Sequence, residues 1–359
     1  MSSVERTDLI IRVGSMVAGD AELLAHGGYA PLTGFMTEEQ YESVLETMRL
    51  PNGDVFTLPI VLPVDDGVRA HVRLGQTVVI ESDTGLLAQV RVTGLFTRDL
   101  QREARQVYGT ESREHPGVAV LLDQPTGVVA GPVTILRAAP LGYPEPAWPH
   151  EVRALIEQRG WRTVTFFQTR NPTHRAHEQM LKLALEQTDG IVLHPLVGPT
   201  KSDDVPPDIR MQAYRTLIEE YFPTDRILLA TFGAAMRYAG PREAVFHGLV
   251  RRNYGATHFI VGRDAAGVGD FYGPDDARQL FERLAEPMGL SPLTFDKIGY
   301  CPKCQGMASK RSCPHQEQWF SMSGTMVRSL LAKGERPPVE VMRPEIADIL
   351  VEGYRIQKG

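Results

Sequence analysis

Short apolar runs alternate with amphipathic stretches from residue 151 onward, and this order constrains the fold more than any other feature of the chain. Buried strands are predicted at the apolar runs, residues 163–167, 191–196, 227–231 and 258–261. Helices are predicted before and between them, at residues 152–158, 176–186, 208–220 and 242–252. This order is typical of a parallel sheet covered by helices on both faces. Ligands of such sheets bind at the carboxyl ends of the strands, so the residues that follow 167 and 261 are the first candidates for chemistry.

The first 150 residues have a different pattern, rich in Gly and Pro and with few helical stretches. Strands are predicted in this part at the β-prone runs, residues 56–62, 77–81, 87–92 and 127–136. The clearest helix is predicted at residues 37–48, with Thr37 as its N-cap. We therefore expect a mostly β domain over residues 1–150, which ends in the proline-rich linker 138–150.

The last part of the chain contains two further helical stretches, at residues 324–332 and 343–353. They predict a small helical domain. Together with the α/β region, these patterns predict a catalytic domain over residues 151–300, followed by a metal-binding segment and helical domain over residues 301–359.

Composition narrows the classes of function. The net charge is -6 and the basic residues are dispersed, which argues against nucleic acid or an anionic membrane as the main partner. No segment approaches the roughly 20 apolar residues of a membrane helix, and the acidic N-terminal segment does not resemble a secretory signal. Only three cysteines are present, so a disulfide framework is not expected and we place the protein in the cytoplasm.

The segment QTRNPTHRAHE follows the predicted strand 163–167. Gln168 to Pro172 are predicted to form the turn into a helix, with Pro172 in its first turn. The free N–H groups and the dipole of a helix N-terminus favour a bound phosphate or sulfate. The two histidines of the segment are three residues apart and so project from one helix face. An oxyanion cradle is therefore predicted from four side chains, those of Arg170, Asn171, His174 and His177.

A second segment, GRDAAGVGDFYGP, follows the predicted strand 258–261. Its glycines allow the backbone to approach a ligand closely, and Arg263 with Asp264 strengthens the prediction of a site. Arg237, upstream of this strand, is interpreted either as a phosphate ligand or as the partner of Glu243. The chain has no GxxxxGK motif followed by Ser or Thr and no GxSxG motif, which disfavours a P-loop enzyme and a serine hydrolase.

These motifs resemble those of the ATP sulfurylase, or sulfate adenylyltransferase, family over nearly the whole chain. The resemblance is carried by PLTGFMTEEQYESVLETMRLPNG, QTRNPTHRAHE, HPLVGPTKSDD and MRYAGPREAVFHGLVRRNYGATHFIVGRD. It implies an α/β protein with an N-terminal PUA-like β-barrel, a central Rossmann-like nucleotidylyl-transferase domain with a parallel sheet, and a small C-terminal helical domain. It also implies conversion of ATP and sulfate to adenosine 5'-phosphosulfate and diphosphate, with Mg2+ bound to the nucleotide, in a homodimer or larger homo-oligomer.

The resemblance further implies a role for individual residues. The family's active positions fall on Thr169, Arg170 and Asn171. Its sulfate contacts fall on Gln168, Arg170 and Ala266. The paired histidines that meet the ATP phosphates correspond to His174 and His177. The nucleotide loop and the backbone contact to adenine correspond to Gly262, Arg263, Asp264, Ala265 and Ile298.

One position departs from the family pattern. The family reads GRDHAG, whereas this chain reads GRDAAG, with Ala265 in place of the histidine. If the missing side chain binds phosphate, nucleotide affinity or activity is expected to be lower here. If only the backbone matters, the change is tolerated, and the sequence leaves both readings open.

The predicted mechanism needs few chemical groups. Sulfate is a dianion at neutral pH, so its oxygen can attack the α-phosphorus of ATP directly, without a general base or a covalent enzyme intermediate. Arg170 is expected to hold sulfate, while His174, His177 and magnesium stabilise the departing diphosphate. As the resemblance implies, the equilibrium lies far toward ATP. The direction in the cell therefore stays open between sulfate assimilation and ATP formation during sulfur oxidation.

All three cysteines lie within a 13-residue segment, at Cys301, Cys304 and Cys313, and His315 follows closely. Three thiolates and one imidazole form a closed tetrahedral set, so a structural Zn2+ is predicted at these four residues. Glu317 is the less favoured alternative to His315 as the fourth ligand.

Two other functions are compatible with parts of the pattern. A nucleotidylyl transferase acting on an organic acid or a phosphate ester would use the same fold with a larger acceptor pocket. A nonenzymatic RNA-binding protein would use the N-terminal domain and the zinc segment, but the negative charge argues against it.

Overall fold

The computed structural model describes residues 9–198, 205–263, 265–322 and 324–358. The N-terminal part contains seven strands and five helices among these residues. The strands are β1 (Ile10–Val13), β2 (Gly34–Phe35), β3 (Leu62–Val64), β4 (Thr77–Ser82), β5 (Leu87–Arg91), β6 (Gly94–Thr97) and β7 (Gly127–Arg137). The helices are α1 (Ser15–Ala25), α2 (Glu38–Thr47), α3 (Asp66–His71), α4 (Leu100–Tyr108) and α5 (Pro116–Leu122).

Strand β7 organises this sheet. It pairs in antiparallel fashion with β2, β3, β5 and β6, and the sheet continues from β5 through β4 to β1. The predicted strands at 77–81, 87–92 and 127–136 are confirmed. Helix α2 is also confirmed, with Thr37 as its N-cap and Gln40 completing a capping box.

The predicted strand 56–62 is wrong except at its last residue, where β3 begins. The segment is buried, but it does not join a ladder. Pro59 has no N–H to donate, and the N–H of Ile60 faces the sulfur of Met36 at 3.5 Å instead of a carbonyl. Apolar character alone indicated burial here, not strand pairing.

The central part is the predicted parallel sheet with helices on both faces. Its strands are β8 (Val164–Thr169), β9 (Gly190–Pro195), β10 (Ile227–Leu229), β11 (His258–Val261) and β12 (Ser291–Thr294). Its helices are α6 (Pro149–Gln158), α7 (Arg175–Leu185), α8 (Pro207–Tyr221), α9 (Gly240–Asn253) and α10 (Asp276–Met288). The strand order is β10-β9-β8-β11-β12, and every pair is parallel. The order reverses between β8 and β11, so the carboxyl ends of these two strands form the switch point where ligands bind.

A hairpin and two helices follow the sheet. The hairpin consists of β13 (Ile298–Cys301) and β14 (Gly306–Ser309), and the helices are α11 (Gly324–Ala332) and α12 (Pro344–Lys358). Both predicted C-terminal helices are confirmed. Helix α10, strand β12 and the hairpin were not predicted.

The two faces of the central sheet bury different parts of the chain. Phe166 and Phe167 point to opposite faces, because successive side chains of a strand alternate. Phe166 belongs to a core shared with the N-terminal sheet. Phe167 belongs to a core shared with α8 and the C-terminal helices, represented by Leu331 and Leu350. Among the described helices, none has both the length and the apolar character to span a membrane.

Candidate active site

The carboxyl ends of β8 and β11 lie side by side. Thr165 is in register with His258 and Phe166 with Phe259, so the residues that follow both strands meet at one edge of the sheet. A cavity of about 390 Å3 opens at this edge. It is lined by the predicted residues Gln168, Thr169, Arg170, Asn171, His174, His177, Gly262, Arg263, Ala265, Ala266 and Ile298. Asp264, also predicted, lies outside the described residues.

The turn after β8 is held by short-range hydrogen bonds. The Thr169 hydroxyl accepts from the Asn171 N–H at 3.1 Å and lies 3.0 Å from the Asn171 carbonyl oxygen. The Tyr214 hydroxyl donates to the same carbonyl at 2.7 Å. This turn is therefore fixed before any ligand arrives, which suits a site that must hold an anion in one place.

Two details of the predicted turn are wrong. The strand continues through Thr169, so Gln168 is the last-but-one strand residue and not the start of the turn. Helix α7 begins at Arg175 with His174 as its N-cap, so Pro172 precedes the helix. The N–H of Arg175, which has no acceptor within the helix, donates to the carbonyl of Val341 in the C-terminal region at 2.8 Å.

His174 and His177 present their rings to the cavity as a stacked pair. Their ring centroids are 3.9 Å apart, with planes inclined by 20°. Burial lowers the pKa of His174 to about 4. Burial, with a smaller contribution from His174, also lowers the pKa of His177 well below its ordinary value. At neutral pH the pair is uncharged in the free protein, and each ring has both a donor and an acceptor nitrogen.

Arg170, directly after β8, supplies one cation of the cavity wall. Its guanidinium carbon lies 4.9 Å from the centre of the Tyr238 ring. Arg263, at the end of β11, lines the same cavity. The site thus places two cations at the two adjacent strand ends, where a polyanionic ligand would lie.

Several residues of the cavity wall were not predicted. Met236, Ala244 and His247 come from α9 and the loop before it, and Phe295, Asp296 and Lys297 follow β12. The last three also line a neighbouring cavity of about 520 Å3 that contains Trp319. Asp296 and Lys297 are polar residues that follow a strand of the sheet, which is where ligand-binding residues are expected. They could have been predicted only if β12 had been recognised as a strand.

The ion pair of Arg237 is with Asp20 and not with Glu243 as one interpretation predicted, and Arg237 does not line this cavity. Its guanidinium lies 2.6 and 2.7 Å from the two carboxylate oxygens of Asp20 on α1. Glu243 instead accepts the backbone N–H groups of Arg237 and Ala239, at 2.8 and 2.9 Å. Arg237 therefore links the N-terminal domain to the loop beside the cavity.

The predicted metal ligands come together. The ligand atoms of Cys301, Cys304, Cys313 and His315 all lie within 4.8 Å of one another. The Cys304 and Cys313 sulfurs are 3.6 Å apart, and the Nδ1 of His315 lies 3.4 to 3.8 Å from the three sulfurs. Tetrahedral zinc at usual bond lengths requires about 3.8 Å between sulfurs and about 3.6 Å between sulfur and nitrogen. The four residues therefore fit a bound metal ion.

Comparisons with known proteins agree with this architecture. The family model for ATP-sulfurylase matches residues 146–353, and the model for a PUA-like domain matches residues 4–138. Sulfate adenylyltransferase from Synechococcus sp. (strain JA-3-3Ab) is 50% identical over 353 residues, which covers 96% of this chain and 89% of the relative. The enzyme of that name from Symbiobacterium thermophilum is 49% identical over 349 residues, with 96% and 89% covered.

One solved structure has a similar fold over nearly the whole chain. It is described as hexameric APS kinase from Thiobacillus denitrificans, and it superposes with a TM-score of 0.75 at 24% identity. The match covers 97% of this chain but 63% of the solved chain. At this identity the likeness concerns the fold. The family model and the curated relatives, in contrast, cover the residues of the cavity, and they show that this chain belongs to the ATP-sulfurylase family.

Proposed function

We propose that this chain is a sulfate adenylyltransferase, which transfers the adenylyl group of ATP to sulfate and releases diphosphate. The observation that carries the proposal is that the residues after β8 and the residues after β11 line one cavity at the switch point. The relatives that share these segments carry the name of this activity. The cavity contains cationic and hydrogen-bonding groups suited to two anions held next to each other.

Each strand end has its own part in the proposal. The segment after β8 binds the reacting anions: Gln168 and Arg170 hold sulfate, and Thr169 and Asn171 keep the turn in position. The stacked histidines of α7 bind the phosphates of ATP. The segment after β11 binds the rest of the nucleotide through Gly262, Arg263, Asp264 and Ala265, with backbone contacts from Ala266 to sulfate and Ile298 to adenine.

The chemistry requires positioning and charge compensation. A sulfate oxygen forms a bond to the α-phosphorus while the bond from that phosphorus to the bridging oxygen breaks, and diphosphate leaves with the electron pair. Sulfate has no proton to lose at neutral pH, so no general base is required. Arg170 offsets the repulsion between sulfate and ATP, which allows the two anions to reach an in-line arrangement. Magnesium bound to the nucleotide supplies further neutralisation of phosphate charge.

Further properties belong to the same proposal. The Cys3His cluster holds a structural Zn2+, which has no part in the chemistry. The protein acts in the cytoplasm, because its cysteines are suited to a reducing compartment, and it forms a homodimer or larger homo-oligomer. Its domains are residues 1–150, 151–300 and 301–359.

The experiment that tests the function is diphosphate release from ATP and Mg2+, with and without sulfate. Wild-type protein is expected to release diphosphate only with sulfate. Arg170→Ala is expected to lower this rate by at least about 100-fold, because the loss of one preorganised hydrogen-bond donor to a reacting anion typically lowers kcat by that factor. Arg162→Ala, at the exposed opposite end of the same strand, is the matched control and is expected to keep the wild-type rate. Release without sulfate, or only with an organic acid as acceptor, would contradict the proposal.

A further inference from the structure

The loop between β10 and α9 brings an aromatic ring beneath Arg170. Residues 236–240, which are the end of this loop and the first residue of α9, form the platform loop. Met236 lines the cavity, and the Tyr238 ring lies 4.9 Å from the guanidinium carbon of Arg170. A ring face attracts the flat side of a guanidinium and leaves the N–H edge directed outward. The ring is thus placed where it can set the orientation of the Arg170 donors.

Tyr238 has a backbone conformation that a bulky side chain rarely adopts. Its φ is +62°, in the left-handed region, although the residue is not glycine. Such a conformation persists only where the surrounding structure holds it, and it is concentrated at functional sites. The ring is also buried, with 5% of its surface exposed.

His115, from the N-terminal domain, is one of the groups that hold it. The Nδ1 of His115 accepts the backbone N–H groups of Gly117 and Val118 at 3.1 and 3.3 Å, so this nitrogen carries no proton. The proton of the neutral ring is then on Nε2, which lies 3.1 Å from both the Tyr238 carbonyl oxygen and the Tyr272 hydroxyl oxygen and can donate to either. Burial lowers the pKa of His115, which keeps the ring neutral. The Tyr272 hydroxyl donates to the same carbonyl at 3.1 Å.

The rest of the platform loop is attached on both sides. Arg237 is paired with Asp20 of the N-terminal domain, as described above. The N–H of Gly240 donates to the carbonyl of Ala266 at 3.1 Å, which joins the loop to the segment that follows β11. Gly117 approaches so closely that a Cβ there would lie 2.2 Å from the Arg237 carbonyl oxygen. The N-terminal domain therefore fixes the platform loop by direct contact.

We propose that Tyr238 is a positioning residue that orients Arg170 for sulfate, and that His115 of the N-terminal domain holds Tyr238 in place. The inference rests on the proposed function, in which Arg170 binds sulfate. It assigns the N-terminal domain a part in sulfate affinity, although none of its residues lines the described cavity. The effect should be specific to sulfate, because the proposed phosphate contacts, His174 and His177, are at the N-cap and in the first turn of α7 and not on the platform loop.

The test compares two variants at position 238. Tyr238→Phe keeps the ring and removes only the hydroxyl. Tyr238→Asn removes the ring but tolerates a positive φ better than most residues, so the backbone conformation stays accessible. Sulfate Kd is measured by titration calorimetry with Mg2+ and the α,β-methylene analogue of ATP, which cannot release diphosphate. The nucleotide Kd is measured separately on the same samples.

Tyr238→Asn is expected to raise the sulfate Kd about ten-fold, between the values of an exposed and a desolvated cation–π contact, with the nucleotide Kd changed by less than about two-fold. Tyr238→Phe is expected to behave as wild type. Equal sulfate Kd values for the two variants would overturn the inference, as would a parallel loss of nucleotide affinity in Tyr238→Asn. Calorimetry does not depend on turnover. If wild-type protein binds sulfate in the calorimeter but releases no diphosphate from ATP and sulfate, the proposed function alone is overturned. If wild-type protein binds no sulfate, both the proposed function and this inference are overturned.

A third variant tests the contact from the N-terminal domain. His115→Asn places an amide oxygen near the position of Nδ1, so the cap of α5 can form, but it lacks the second nitrogen that reaches Tyr238. Its sulfate Kd is expected to rise about three-fold, less than in Tyr238→Asn because Tyr272 still donates to the carbonyl. The control is His71→Asn, at an exposed histidine of α3. Equal sulfate Kd values in the two histidine variants would show that His115 has no such role.

Discussion

The stacked pair of His174 and His177 combines a structural and an electrostatic property. The rings are uncharged in the free protein because burial disfavours their protonated forms. Bound phosphates favour those forms, so nucleotide binding should raise the pKa of the pair. The pair is therefore expected to be neutral in the free protein and to become protonated when the phosphates of the nucleotide bind.

Proton uptake on ATP binding follows from this property. Because the pKa of His174 is about 4 in the free protein and rises in the complex, ATP binding is expected to consume protons. Affinity should then increase as pH falls through the raised pKa of the pair in the complex, and the increase should end near pH 4, the pKa of His174 in the free protein. Calorimetry in buffers of different ionisation enthalpy measures the uptake.

The variant His174→Gln, combined with His177→Gln, is the control for protons bound by ATP itself. It should retain only the uptake that belongs to the nucleotide. Uptake identical to that of wild type would contradict the proposed contact between the histidines and the phosphates.

Ala265 offers a second test at the residue scale. It lines the cavity at the position where the family pattern has histidine. Ala265→His adds a hydrogen-bond donor beside the bound phosphates, and it is expected to lower the nucleotide Kd by about ten-fold, as expected for one hydrogen bond to a charged group. Ala265→Leu adds comparable bulk without a donor and should give no gain. A histidine variant that binds nucleotide no better than wild type would show that only the backbone matters here.

The residues of the site could be predicted from the sequence where the strand that precedes them could be recognised. Arg170, Asn171, His174 and His177 follow a strand whose apolar run is unmistakable, and they line the cavity as expected. Arg237 was not predictable, because its partner Asp20 lies 217 residues away in the chain. The residues next to Arg237 in the sequence do not indicate an ion pair with a residue so far away in the chain.

At the scale of elements, α7 is clamped to the C-terminal region directly beside the histidines. The carboxylate of Glu178 accepts from Arg343 at 2.8 and 2.9 Å and from Lys182 at 2.6 Å. Burial alone would raise the pKa of Glu178, but these hydrogen bonds hold it below its ordinary value of 4.5. The guanidinium of Arg343 also lies over the Tyr221 ring at 4.0 Å. The start of α12 is thus tied to both α7 and α8.

Removal of Arg343 should therefore destabilise the protein. Arg343→Met leaves the buried Glu178 with Lys182 as its charged partner among the contacts described, and we expect a loss of about 1–3 kcal/mol in the free energy of unfolding. Because the pKa of Glu178 is lowered in the folded state, this stabilisation is present above pH 4.5 and is lost as pH falls through the folded pKa. Urea unfolding at neutral and acidic pH measures both effects.

Arg355→Met is the matched control, since Arg355 forms an exposed pair with Glu352 on the same helix. It should change stability little at either pH. An Arg343→Met effect no larger than that of Arg355→Met would exclude the clamp.

Elements were predictable where their periodicity was strong. Strand β12 was missed because it contains Ser291 and Pro292, which do not indicate a strand. Proline is tolerated there because β12 lies at the edge of the sheet, where one side of the strand needs no ladder partner. The position of an element within the sheet, which the sequence does not state, decided this case.

At the scale of the whole molecule, the Cys3His cluster and the cavity share one hairpin. Strand β13 begins at Ile298, which lines the cavity, and ends at Cys301, a member of the cluster. Asp296, also in the cavity wall, accepts from Arg311 at 3.0 Å, within the segment between the second and third cysteines. Metal binding should therefore order part of the nucleotide site.

Metal removal is expected to lower both stability and nucleotide affinity. Cys304→Ser should reduce metal affinity by at least about ten-fold, the lower range for a disturbed ligand shell, with a lower Tm and a raised nucleotide Kd. Metal content by atomic spectroscopy, Tm and calorimetric Kd are measured on the same preparation. The control is Lys303→Ala, at the exposed neighbour of Cys304. A metal-free protein with unchanged Tm would refute the structural role.

The arrangement of the three parts around the sheet could be anticipated only in outline. Phe166 and Phe167 indicate a strand buried on both faces, but nothing local states that one face is covered by the N-terminal domain and the other by the C-terminal helices. Because the N-terminal domain packs on one face and the C-terminal region on the other, His115 and Arg343 lie near the site. Their roles depend on the assembled molecule.

The most direct test of the central claim is to incubate the protein with ATP, Mg2+ and sulfate labelled with 18O at every oxygen, and to analyse the nucleotide product by mass spectrometry. Attack of a sulfate oxygen on the α-phosphorus predicts adenosine 5'-phosphosulfate that retains every labelled oxygen, one of them in the bridge to phosphorus. The absence of labelled adenosine 5'-phosphosulfate, together with diphosphate release that is independent of sulfate, would contradict the account.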